Sequence, residues 1–418
     1  MPIGGTNTPR VCRALPAAPG LEALGETLNI GIGLMKAKVY LDFNATHPIL
    51  PRVLEAVVQA EQQAFGNPSS LHWAGRAARK ALYEARRKLA LGLGVSPDSI
   101  LFTGSATEAN NLVFRGHYEA FPSARTYAVS AVEHPSVLRA AEALRNKRAR
   151  VLFLDVDRDG QVNPRKLRVV LEKAGIEGGL LSLMAANNET GVLFPVSEAA
   201  EIAHAHGMLF HTDAVQALGK VPLCLESMGA DFASFSAHKI GGPKGVGLLY
   251  VKNKRSMEPF ILGGSQEFGL RAGTENVAGA VGFAKAFEIA SERLDAFEAH
   301  TRALKEVVVC RLKERIGGVI VHSEGARTLP STLNIGFEGV DGDALLMGLD
   351  MEGYALSSGS ACSSGKIEPS HVLLAMGVPR RVAQASLRVS LSLSTTRKEV
   401  EGLCDAVEGV VARLRASR

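Results

Sequence analysis

Between about residues 50 and 250, helical runs with one apolar face alternate with short apolar runs, and this alternation confines the chain to an α/β architecture with a mostly parallel sheet. Apolar residues recur at helical spacing through 51–65 and 71–93. Strands are expected at 100–103, 126–130, 151–154, 180–184, 209–212, 232–235 and 247–251, with helices between most of them. A long helical stretch over 277–315 then leads to a smaller α+β region that closes with a helix at 399–414. At 418 residues the chain exceeds what one core usually covers, so two domains are expected. The larger is placed at 51–296 and the smaller at 35–50 together with 297–418.

Composition narrows the function classes. Hydrophobic residues make up 46% and charged residues 21%, which argues against extensive disorder. The net charge of +5 forms no basic block with interleaved aromatics, so no direct nucleic-acid partner is expected. No apolar run approaches the ~18 residues of a membrane span. The five cysteines are odd in number and lack CxxC spacing, which disfavours a disulfide framework or a structural metal site and points to a reducing cytoplasm. Residues 1–34, rich in Gly, Pro and Ala and carrying both Arg10 and Glu22, read poorly as a signal or transit peptide and are expected to be a flexible tail.

In open α/β sheets, ligands sit at the carboxyl ends of strands. Phe235-Ser-Ala-His-Lys239-Ile-Gly-Gly-Pro-Lys-Gly245 places one lysine between a Ser/His pair and a glycine turn. Lys239 suits covalent bonding to an aldehyde cofactor, and Ser236 and His238 can donate to an anion, a combination that fits pyridoxal phosphate. Alone, the string also reads as a surface lysine in a glycine-rich loop. After the strand at 100–103, the turn leading into Ala106 and Thr107 opens a helix and offers unpaired N–H groups to an anion; a plain helix cap is the competing reading.

His134 follows the next strand, where it could stack on a planar ring and exchange protons, or simply cap a helix. The amides of Asn187-Asn-Glu-Thr-Gly191 could bind a carboxylate or a ring oxygen, or form a plain polar loop. In His211-Thr-Asp-Ala-Val-Gln216, Asp213 would keep a pyridine nitrogen protonated and Gln216 could reach the adjacent ring oxygen. A metal site at His211 and Asp213 lacks a third ligand at useful spacing.

Taken together, the ordered set resembles the cysteine desulfurases, a class V branch of the fold type I pyridoxal phosphate enzymes, from Met35 to the C-terminus. Its further pieces are Tyr40-Leu-Asp-Phe-Asn-Ala-Thr-His-Pro48, Gly66-Asn-Pro-Ser-Ser-Leu-His72, Gln266 to Asn276, Ser357-Ser-Gly-Ser-Ala-Cys362 and Ser386-Leu-Arg388. The resemblance implies a large domain with a seven-stranded sheet flanked by helices and a small domain carrying the Cys362 loop. It also implies that Lys239 bonds the cofactor and moves the Cα proton, that His134 stacks and assists, and that Asp213 and Gln216 hold the ring. Ala106, Thr107, Ser236 and His238 would hold the phosphate, Thr274 would reach the neighbouring subunit of a homodimer, and Asn188 and Arg388 would bind the substrate carboxylate. Cys362 would take sulfur from L-cysteine, leaving alanine, and pass it to an acceptor such as an iron–sulfur scaffold protein. No structural metal is expected, Cys362 being the residue that would transiently ligate a cluster.

Phe43, His47 and Phe268 depart from the family pattern, which commonly has Arg at the last, and they bear on the site entrance. A selenocysteine lyase and a small-substrate aminotransferase share the scaffold, and a partner-binding module with a vestigial site is the reading from another class.

Overall fold

The computed structural model describes residues 38–123, 126–176, 178–358 and 368–417. Twelve strands form in chain order: β1 Val39–Tyr40, β2 Ile100–Thr103, β3 Thr126–Ser130, β4 Arg150–Leu154, β5 Gly179–Ser182, β6 Met208–Asp213, β7 Phe232–Ser236, β8 Gly247–Val251, β9 Val319–Val321, β10 Thr332–Phe337, β11 Tyr354–Ala355 and β12 Ser386–Ser390.

Strands β2 to β8 make one sheet in the order β2-β8-β7-β6-β5-β3-β4. The pairs among β3 to β7 are parallel, and β8 runs antiparallel to both neighbours. Successive side chains of a strand point to opposite faces. Here both faces are covered, which is why the runs are continuously apolar. Phe102, Ala128, Leu181 and Leu248 enter the core on one side, and Leu101, Tyr127, Leu180 and Leu249 enter the core on the other. Complete burial of a Leu or Phe side chain contributes about 1.5–3 kcal/mol, so this double layer dominates stability.

Helices Pro51–Gln63 and Trp73–Leu93 pack against Val277–Glu292. The helical stretch expected over 277–315 is two helices, Val277–Glu292 and Leu294–Arg315, because Arg293 leaves helical geometry at φ −113° and ψ 11°. A second sheet, β12-β10-β9, is antiparallel and packs its apolar residues with helices Leu294–Arg315 and Arg397–Ala416 around Leu312, Ile335, Val389 and Leu403. The last helix starts where Thr396 and Glu399 form a reciprocal capping box. Strand β1 pairs in parallel with β11, and Asp42 bridges to Ser390 at the end of β12, which brings the 42–47 turn to the large sheet's carboxyl edge.

Candidate active site

At that edge lies a cleft of about 460 Å³, lined by Thr107 beyond β2, His134 beyond β3, Asn188 beyond β5, Asp213 on β6, Ser236 and Lys239 at and beyond β7, and Arg388 on β12. Ala106, Gln216 and His238 line it as well. Thr107 to Lys239 thus meet because the large sheet delivers these strand ends to one side, and Arg388 joins them from the antiparallel second sheet.

Lys239 sits in the short 3₁₀ turn Ala237–Ile240, which closes at Gly241 with φ +80°. A side chain there would be strained, and its Cβ would fall 2.6 Å from Leu50, so glycine is required. The Lys239 Nζ donates to the peptide oxygens of Asn44 and Ala45, each at 2.7 Å. Burial, then the Arg388 guanidinium, brings its pKa down to about 8, while Asp213 and Asp42 oppose the shift.

Asp213 ends β6; its Oδ2 accepts from Asn110 Nδ2 at 2.9 Å and its Oδ1 from the Val215 N–H at 3.1 Å. His134 caps helix Pro135–Arg145, accepting the Ser136 N–H at Nδ1, 3.2 Å away. With Nδ1 an acceptor, the neutral ring carries its proton on Nε2. Burial lowers the His134 pKa, helped by Lys239 and His371, with Asp213 acting against them. Burial likewise brings His238 down to about 4, with Lys239 and Lys244 contributing, and its Nδ1 lies 3.1 Å from Thr46 Oγ1.

Helix Ala106–Ala120 points its first turn at the cleft, with Ser105 Oγ accepting the Glu108 N–H. Gly247 lets β8 approach this turn, since a Cβ would lie 2.4 Å from the Ser105 carbonyl carbon. On the other wall, Arg388 donates through Nη2 to Asp42 Oδ1 at 2.6 Å and through Nη1 to the Asn188 peptide oxygen at 3.1 Å, while its buried Nε has no partner among the described residues. The Arg388 N–H also donates to the Ser357 peptide oxygen at 2.6 Å, so a residue two positions ahead of the 359–367 stretch is joined to the cleft wall. Cys362 lies outside the described residues, as do residues 1–34. Thr274 is exposed and does not line this chain's cleft.

Four buried polar residues to which the sequence assigned no individual role surround the site. Asn44 and Lys220 lie under Lys239, with Lys220 Nζ donating to Asn44 Oδ1 at 2.8 Å and Gln216 Oε1 at 2.6 Å. Glu133 accepts the Met184 N–H at 2.6 Å through Oε1 and leaves Oε2 without a partner among the described residues, and burial, then Asp213, pushes its pKa well up. Glu189 accepts from Ser370 Oγ, and burial raises its pKa to about 7. Glu189 stands in the Asn187 to Gly191 loop, Glu133 directly precedes His134, and Asn44 lies in the Tyr40 to Pro48 string, whereas Lys220 carried no local signal of function. His211 has both ring nitrogens near hydroxyls, Ser182 at 2.8 Å and Ser234 at 3.1 Å, which leaves neither free for a metal.

Phe43 and His47 face a separate cavity of about 260 Å³ that reaches the far side of Lys239 and Lys220, not the main cleft.

Residues 39–403 match the family model for class-V aminotransferases. The chain is 41% identical over 382 residues to cysteine desulfurase IscS of Dictyoglomus turgidum, covering 91% of this chain and 96% of that protein. It is 43% identical over 381 residues to a cysteine desulfurase of Cereibacter sphaeroides, covering 91% and 97%. Among solved structures, a NifS-like protein superposes with a TM-score of 0.84 at 38% identity, covering 90% of this chain and all of that one. SspA in complex with cysteine superposes with a TM-score of 0.75 at 29% identity, covering 87% of this chain.

Proposed function

The chain belongs to the class-V aminotransferase family, and on that premise we propose that it is a pyridoxal phosphate-dependent cysteine desulfurase, converting L-cysteine to L-alanine and a persulfide on Cys362. The observation that carries this reading is the convergence of Lys239, Asp213, His134 and Arg388 on one cleft whose wall is joined to Ser357, the start of the Cys362 segment.

The donor set suits the cofactor. A helix N-terminus with Ala106 and Thr107, joined by Ser236 and His238, offers donors to a phosphate. Asp213 and Gln216 face a ring, His134 supplies a flat partner, and Lys239 supplies the amine. When bound, pyridoxal phosphate provides an aldehyde for amines and a protonated pyridine that draws electron density from Cα.

The chain's own residues do the rest. Burial and the Arg388 guanidinium lower the Lys239 pKa toward neutrality, which suits an amine that acts as nucleophile and base and then returns as acid. His134, held neutral by burial, stacks without adding charge. Arg388, with N–H donors beyond those given to Asp42 and the Asn188 peptide, takes the substrate carboxylate beside Asn188. The Cys362 thiolate attacks the substrate sulfur, the Cβ–S bond breaks with its electron pair left on carbon, and that carbon takes a proton. Alanine leaves, and Cys362 retains the extra sulfur for an acceptor of iron–sulfur cluster assembly.

The same reading makes 51–296 the cofactor domain and assigns 35–50 and 297–418 to the domain of the reactive cysteine. It makes the protein a cytoplasmic homodimer in which Thr274 completes the partner's phosphate site. Among the described residues, no helix is long and apolar enough to cross a membrane.

The test incubates purified protein with L-cysteine and a reductant and measures alanine and sulfide for wild type, Cys362→Ser and Lys239→Ala. Both products from wild type and neither from the variants is expected. Full cysteine activity in Cys362→Ser would overturn the persulfide step and favour a lyase. Sedimentation of wild type as a monomer would remove the role of Thr274.

A further inference from the structure

We infer that Asn44 is a positioning residue whose peptide oxygen, pinned by its own side chain, seats the free amine of Lys239. The inference rests on Lys239 being the amine that bonds the cofactor.

Asn44 is buried, with 1% of its surface exposed, and each of its polar atoms is engaged. Its N–H donates to Ser390 Oγ at 3.0 Å, and its Nδ2 donates to the Asn188 peptide oxygen at 3.2 Å and to Thr332 Oγ1 at 2.9 Å. Its Oδ1 accepts from Lys220 at 2.8 Å. These contacts tie the 42–46 turn to β10, to β12 and to the segment beyond β6. The peptide oxygen so fixed accepts from Lys239 Nζ at 2.7 Å and from Gln216 Nε2 at 3.0 Å, and Ala45 gives Lys239 its second acceptor.

An amine that leaves a covalent bond, carries a proton and returns needs a resting place when charged. Two peptide oxygens hold an ammonium without the full counter-charge of a carboxylate, which would favour the charged form too strongly to let it go. The charged and titratable groups around Lys239 are Arg388 from β12, Lys220 from beyond β6, His134 from beyond β3, His238 from its own turn, Asp213 from β6 and Asp42 from beyond β1, with His47 and Arg293 across the second cavity. Among the described residues, the hydrogen-bond acceptors on Nζ are the oxygens of Asn44 and Ala45 alone. Loosening the turn therefore disfavours the ammonium, and any loosening of Asp42, which stands on the same turn and favours the charged form, acts in the same direction.

The experiment offers pyridoxal phosphate to full-length protein freed of cofactor, from about pH 6 to about pH 10. Borohydride then fixes the adduct, and mass spectrometry reads the extent of capture at Lys239. Wild type, Asn44→Ala and Thr332→Val are compared, with far-UV circular dichroism on each. The expected result is a downward shift of the capture midpoint by about one unit in Asn44→Ala and a smaller shift of the same sign in Thr332→Val, which deletes one anchor at constant shape. Unchanged midpoints in folded variants overturn the inference. If Asn44→Ala does not fold, Thr332→Val decides alone. Absence of a wild-type adduct at Lys239 overturns the proposed role of that lysine, and the seat with it.

Discussion

Arg388 on β12 and Asp42 beyond β1 are joined by a 2.6 Å ion pair in the wall of the cleft, and the arginine is almost wholly buried. The pair spends one N–H of Nη2 on Asp42 and one of Nη1 on the Asn188 peptide, so each of these nitrogens keeps a second N–H, and on the proposed reading these are the donors offered to the substrate carboxylate. Arg388→Lys keeps the charge but loses the planar fork. Its KM for L-cysteine should rise about 10- to 100-fold with cofactor content unchanged, as steady-state kinetics and the visible absorbance of the holoenzyme would read. An unaltered KM would place the carboxylate elsewhere.

Acid should destabilise the protein through buried histidines. Burial takes His117 from 6.5 to about 4, His211 to about 3 and His322 to about 4. Since the folded values lie below the unfolded one, the unfolded chain binds more protons between about pH 3 and 6.5. Stability is therefore full above 6.5 and falls as pH drops through that window. For His211 the loss at pH 5 is on the order of 2 kcal/mol. Urea midpoints at pH 7.5 and pH 5 should differ less in His211→Asn than in wild type; an equal difference would rule His211 out as a cause.

Phe268 holds φ +62° and lies under two cations, with Lys254 Nζ 3.6 Å and Arg86 Cζ 5.2 Å from the ring centre. The arginine common at this place in the family would here face two like charges. Phe268→Arg should lower stability by about 1–2 kcal/mol, and the deficit should shrink in high salt. Thermal unfolding at two salt concentrations measures both.

Beside it, Glu267 takes both arms of Arg86 at 2.7 and 2.8 Å and also accepts the Phe102 N–H at 2.9 Å, all within the protein. Removing one partner strands a buried charge. Arg86→Ala should cost about 3–5 kcal/mol in chemical denaturation, and the double variant Arg86→Met with Glu267→Gln should recover part of it. A single-variant loss below about 1 kcal/mol would mean that water reaches the pair.

The strand ends were readable because a strand covered on both faces must be continuously apolar, and such a run stops where the chemistry starts. Gly241 marked the Lys239 turn for the same local reason, a backbone that only glycine adopts easily. The break at Arg293 was not readable, because apolar spacing continues across it and nothing in the local composition demands a stop. Phe43 and His47 stood out as departures, yet their place at a second cavity depended on how the 42–47 turn lies against the Lys239 turn, through His47 N–H to the His238 oxygen at 2.9 Å.

Sequence alone therefore determined the layered architecture and the lysine, aspartate and histidine at the strand ends, because both follow from interactions within a few residues. Tertiary structure decided the buried support beneath them. Asn44 meets Lys220, Thr332 and Ser390 across gaps of 176, 288 and 346 positions. Glu133 and Glu189 take their shifted acidity from burial, which no short window of sequence encodes. A polar residue's partners and solvation are properties of the packed chain, and at this site they are what tune Lys239.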